Sequence, residues 1–207
     1  MRGTDLPGGI SRARLTELYL PTTKDFVFVD VPEMQFAVIE GAGSPDRAPF
    51  KEAVKWLFSA IYPLKRIAKE RMGKDFVEPP LEALWWADDI ADLIAARTAE
   101  LKWRLMIVTA DWVDDPMFER AAATASKKLG KVPRGLRLDR FAEGKCVQIM
   151  HVGDYRSEAS AIAARLHNEF LPKHDLRPNG HHHEIYLSDP SRVAPERMRT
   201  VLRQPVR

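Results

Sequence analysis

Glu184 and Tyr186 stand two residues apart in the run His183-Glu184-Ile185-Tyr186-Leu187-Ser188-Asp189. In an extended strand, residues at i and i+2 share a face, so a carboxylate and a phenol point together while Ile185 and Leu187 take the other side. A carboxylate so placed loses solvation unless something pairs with it. Held in an apolar pocket it has a raised pKa and can move a proton, whereas a bound cation favours its ionised form. The phenol supplies a donor that orients a water or a ligand carbonyl. The same residue types also fit a solvated strand-edge acid, or one salt-bridged to an arginine such as Arg192.

A similar stretch lies earlier in the chain, Leu81-Glu82-Ala83-Leu84-Trp85-Trp86-Ala87-Asp88. Setting Asp88 on Asp189 puts Trp85 opposite Tyr186 and Ala83 opposite Glu184, which suggests an aromatic wall facing a carboxylate and a phenol. Trp85 and Trp86 point to opposite faces, so only one lines a cavity at a given depth, and the pairing favours Trp85. Trp103, Met106, Trp112, Met150 and Tyr155 are further candidate walls, the alternative for each being a place in the core. His181-His182-His183 invites a metal reading, but adjacent strand residues diverge and three in a row cannot reach one ion without a tight turn. No metal is expected. Nor is a cofactor: Gly41-Ala42-Gly43 before Pro45 is a turn, and neither a dinucleotide fingerprint nor a Walker lysine is present. Cys146, the one cysteine, lies in an alternating apolar run and reads as a buried structural thiol.

The elements that position these residues follow from the patterning of a 207-residue chain that is 45% hydrophobic and 29% charged, proportions that place it among globular proteins. No apolar run is long enough for a membrane span, and the N-terminus lacks the apolar region of a secretory signal, so a cytoplasmic location is expected. The 32 basic and 29 acidic residues are dispersed rather than blocked, which gives no basis for direct nucleic-acid binding.

Residues 1–21 read as an extension with a short helix over Ser11 to Leu20. Strand character marks Phe26–Val31 and Met34–Glu40, and helical period marks Ala48–Met72, with Pro63 expected to kink or split it. The tryptophan strand follows, then a short helix over Ala91–Glu100, a strand over Leu101–Thr109, and a helix over Pro116–Leu129 capped by Asp114 or Asp115 and stopped at Gly130. Leu136–Phe141 and Lys145–Val152 are strands, Ser157–Phe170 a helix, and the tail after the glutamate strand holds one short helix near Glu196–Leu202. Strand, strand, helix, strand thus occurs twice, over about 22–110 and 111–207. The predicted fold is α+β: a duplicated unit with a pseudo-twofold, antiparallel sheet and a central cleft.

Three segments carry a family resemblance: the tryptophan strand, Lys102-Trp103-Arg104-Leu105-Met106-Ile107, and the tail from His182-His183-Glu184-Ile185-Tyr186-Leu187-Ser188-Asp189-Pro190 to Leu202-Arg203-Gln204-Pro205-Val206. Over residues 22–207 the chain resembles stand-alone GyrI-like small-molecule-binding proteins, with Ala83 where the pattern leads one to expect glycine. The resemblance implies a central glutamate in an aromatic pocket that meets flat, often cationic ligands, and a likeness to enzymes that hydrolyse cyclopropanoid genotoxins. On that footing Glu184 is the general base and Tyr186 its orienting partner. The other reading is a non-catalytic module that sequesters drugs or effectors, or that binds a protein partner such as a topoisomerase. The stretch before Thr22 is too short for a helix-turn-helix, which argues against a direct regulator.

Overall fold

In a computed structural model, residues 12–73, 79–88 and 101–207 are described. The expected helix at 91–100 and the first residues of the extension lie outside these. Eight strands form one antiparallel sheet: β1 (Val27–Val31), β2 (Met34–Ala42), β3 (Leu81–Trp86), β4 (Lys102–Thr109), β5 (Arg137–Phe141), β6 (Gly144–Val152), β7 (His182–Tyr186) and β8 (Arg199–Pro205), in the order β1-β6-β8-β7-β3-β4-β2-β5. The helices among the described residues are α1 (Arg12–Tyr19), α2 (Ala48–Met72), α3 (Asp115–Leu129) and α4 (Tyr155–Ala164), the last continued by a π-helical turn, Arg165–Phe170, and a short α-helical turn, Leu171–Lys173. Among the described residues no helix is long and apolar enough to cross a membrane.

The duplication is visible in the pairing. Each unit runs strand, strand, helix, strand, strand, and the units meet where β3 pairs with β7, with Ala83 directly opposite Glu184. They meet again where β1 faces β6 and β2 faces β5. These two ladders keep one register, from Val27 opposite Gln148 to Val38 opposite Arg137, interrupted only by Pro32-Glu33 across from Ala142-Glu143.

One face of the sheet carries the longer helices. Ala53, Leu57, Ile61 and Leu64 of α2 and Met117, Phe118 and Ala121 of α3 pack on Ala37, Ala83, Trp85, Trp103 and Leu105. Leu166 and Leu171 pack on Val147, Ile149 and Leu202 of the second unit. The opposite face buries Val29, Val31, Phe36, Leu84, Met106 and Cys146 beneath Leu18 of α1.

Local chemistry accounts for the helix limits. Asp114 accepts a hydrogen bond from the Met117 amide (2.7 Å) and caps α3, and Gly130 ends it at φ 87°. Two expectations need correction. The long helix is not split at Pro63, because packing of its apolar face on the sheet outweighs the one hydrogen bond that proline removes. The tail beyond Glu196 is not a helix: a 3₁₀ turn, Pro195–Arg197, leads into β8, which is buried between β6 and β7 and completes the second unit.

Candidate active site

Alternation along β7 decides what each of its side chains meets. His182, Glu184 and Tyr186 face the side covered by α2 and the π turn, while His183 and Ile185 face α1. Cross-strand neighbours of Glu184 on its own face are Ala83 of β3 and Leu202 of β8, which belong to two different apolar clusters. Glu184 therefore stands at the seam between the two units, and Ala83 opposite it has only a methyl group with which to cover the carboxylate.

The carboxylate is held by an oriented chain. The Trp85 indole N–H donates to the Tyr186 hydroxyl (3.1 Å), and that hydroxyl donates to Glu184 Oε2 (2.6 Å). Trp85 is fixed in turn by stacking on Phe50 of α2 (5.6 Å between centroids, 12° between planes), and the edge of Phe50 meets Trp103 (5.3 Å, 77°). The phenol O–H thus points at the carboxylate and the indole N–H at the phenol. His182 Nε2 lies 3.7 Å from the other oxygen, Oε1. Burial, then the charges of His167 in the π turn and of His183, lower the His182 pKa to about 3, so its ring is neutral near pH 7.

The structure brings together Glu184, Tyr186 and Trp85, with Trp103 beside Trp85 on the next strand. Trp112 packs at the edge of the same apolar cluster. Trp86, Met106 and Met150 are not brought to the site. They lie on the opposite face, with Trp86 stacked on His181 (4.4 Å), Met106 in the cluster under α1 and Met150 against Ile185 and Val201. The Tyr155 side chain lies outside the described residues. A cavity of about 540 Å³ opens between the start of α2 and the end of α3, floored by Trp56 and Trp103; Glu184 and Tyr186 do not line it.

The three histidines diverge as strand geometry requires: His181 onto Trp86, His182 toward Glu184, His183 to the opposite face. There His183 joins a buried ionic network that sequence reasoning missed. Its Nδ1 lies 3.0 Å from Glu143 and its Nε2 3.0 Å from Glu82 Oε2; Arg203 reaches Glu143 (3.0 Å), Gln148 (3.0 Å) and the Leu18 carbonyl. Tyr19 of α1 donates to Glu82 (2.9 Å). Burial alone would lower the His183 pKa, but Glu143, hydrogen-bonded at Nδ1, and Glu82, close to Nε2, raise it. For Glu143, burial is outweighed by His183 and Arg203, which bring the pKa down to about 2. This network anchors α1 to the back of the strand that carries Glu184. His182 was missed for a different reason: strand alternation already puts it on the Glu184 face, but its place among three histidines draws attention to metals.

Residues 24–207 match the family described as GyrI-like small molecule binding domain. An uncharacterized conserved protein from Listeria innocua superposes with a TM-score of 0.82 at 36% identity, over 95% of this chain and 98% of that one. A hydrolase from Listeria innocua gives 0.78 at 34% identity, over 95% and 98%. The C-terminal domain of EcmrR shares the fold, with a TM-score of 0.55 at 11% identity over 88% and 97%. No curated protein matches.

Proposed function

This chain belongs to the GyrI-like family of small-molecule-binding domains, and from that premise we propose that it hydrolyses electrophilic, strained-ring compounds of the cyclopropanoid class. The observation that carries the reading is the Trp85–Tyr186–Glu184 chain at the seam of the two units, an aromatic wall leading to an oriented carboxylate. The relatives at 34% identity described as hydrolases support the reaction class.

In the proposed step, Glu184 accepts a proton from a water whose oxygen bonds to a carbon of the three-membered ring. The ring C–C bond breaks, its electron pair passes into a conjugated carbonyl, and the resulting enolate is protonated from Glu184 or solvent. General-base assistance contributes about 10²- to 10⁴-fold, which suffices where ring strain already lowers the barrier. Tyr186 orients the carboxylate, and Trp85, buried against Phe50, orients Tyr186.

Glu184→Gln keeps shape and a hydrogen-bonding amide but removes the base. Hydrolysis of an activated cyclopropane, followed by ultraviolet absorbance at substoichiometric protein, should fall by about 10² or more while a neutral planar ligand binds as before. Full turnover by the glutamine variant would sink the catalytic role. A selective loss of affinity for cationic ligands, with no turnover by the native chain, would establish instead a binding module that pairs Glu184 with cations.

A further inference from the structure

We propose that His182 is a second residue that touches the reacting water, its imidazole and Glu184 Oε1 together holding the oxygen that attacks the ligand. This rests on the hydrolytic reading above and adds to it a residue that the Glu184–Tyr186 pair alone does not require.

The carboxylate has a different neighbour at each oxygen. Tyr186 donates to Oε2 at 2.6 Å, a direct hydrogen bond, whereas His182 Nε2 stands 3.7 Å from Oε1. That separation is too long for a direct bond, and short enough for one oxygen atom to contact both groups. Neither side chain is wholly enclosed: His182 is 7% and Glu184 11% exposed. Position favours the same role. His182 is the cross-strand partner of Trp85, whose indole fixes Tyr186, so a flat ligand against that wall lies beside both His182 and Glu184.

The charge state is what the role needs. His182 has Glu184 beside it on the same face and His167 approaching from the π turn, with the charge of His183 felt from the next position of the strand. Buried there it stays neutral, so it offers one lone pair and one N–H to a water. A π-helical turn in the layer that brings His167 here fits the frequent use of such turns at functional sites.

Two variants of the full chain separate water-holding from packing. His182→Phe keeps a ring without nitrogens; His182→Gln keeps hydrogen-bonding capacity in a different shape. With an activated cyclopropane such as a spirocyclopropyl dienone, His182→Phe should lower kcat by about 10- to 100-fold with KM changed less than about twofold, and His182→Gln should recover part of that loss. Binding of a neutral planar compound, measured by calorimetry, should be unchanged in both. If the phenylalanine variant keeps kcat and the glutamine variant loses it together with Tm, His182 is a packing residue and the proposal falls. Glu184→Gln run in parallel keeps the two readings apart: a dead Glu184→Gln beside a fully active His182→Phe overturns only the role of His182. A native chain inert toward this substrate class overturns both.

Discussion

Replacing Glu143 by glutamine removes one of the two negative charges from a buried cluster in which His183 and Arg203 supply the positive ones. The Glu143 side chain is 4% exposed, and its pKa falls from 4.5 to about 2 on folding, despite burial, because His183 and Arg203 hold the charged form. That difference corresponds to about 3 kcal/mol of stability, in line with the ~3–5 kcal/mol lost when one member of a buried ion pair is removed. A folded-state pKa below the unfolded one gives stability that is complete above pH 4.5 and lost as pH falls through 2; roughly half is gone by pH 3. Urea unfolding of the native chain and of Glu143→Gln should therefore differ by about 3 kcal/mol at pH 7, with the gap narrowing between pH 5 and pH 3. His183 works in the other direction. Its raised pKa makes its contribution complete below 6.5 and lost as pH rises through the raised value, so it does not produce the acid-side narrowing. A difference under about 1 kcal/mol at pH 7, or one that stays constant down to pH 3, would refute the reasoning that the cluster is charged and contributes net stability.

Gly41→Ala should lower stability by about 1–3 kcal/mol, read as a drop in Tm, because a Cβ there would lie 2.3 Å from the Trp103 ring that rests on this strand. Trp85→Phe keeps a ring against Phe50 but removes the N–H that Tyr186 accepts; affinity for a planar ligand should weaken by about 1 kcal/mol in calorimetry, and an unchanged affinity would place the aromatic wall elsewhere. Cys146 is fully buried and its thiol pKa is pushed up by burial and then by Glu143, so it should resist a thiol reagent in the native chain and react at once on unfolding.

Features governed by neighbours along the chain were legible in the sequence. Strand alternation alone put Glu184 and Tyr186 on one face and made the three adjacent histidines diverge. Apolar period and local caps delimited the long helix and α3, with Asp114 and Gly130 as its start and stop. Setting Asp88 on Asp189 put Ala83 opposite Glu184, as the sheet does, but also Trp85 opposite Tyr186, whereas the antiparallel register sets Trp85 against His182 and Leu81 against Tyr186. What the tertiary structure decided were matters of register and of distant charge. Which face of β4 or β6 shares a side with Glu184 depends on how strands far apart in sequence align, and a one-residue slip reverses it, so Met106 and Met150 turned to the α1 side. The tail does not read as a strand because Arg203 and Gln204 are polar; they are buried in β8 only because Glu143, Gln148 and the Gly180 carbonyl, each brought there by the fold, receive their hydrogen bonds. Local patterning cannot supply that, since the desolvation cost of a buried charge is met by partners whose distance in sequence sets no limit on their distance in space.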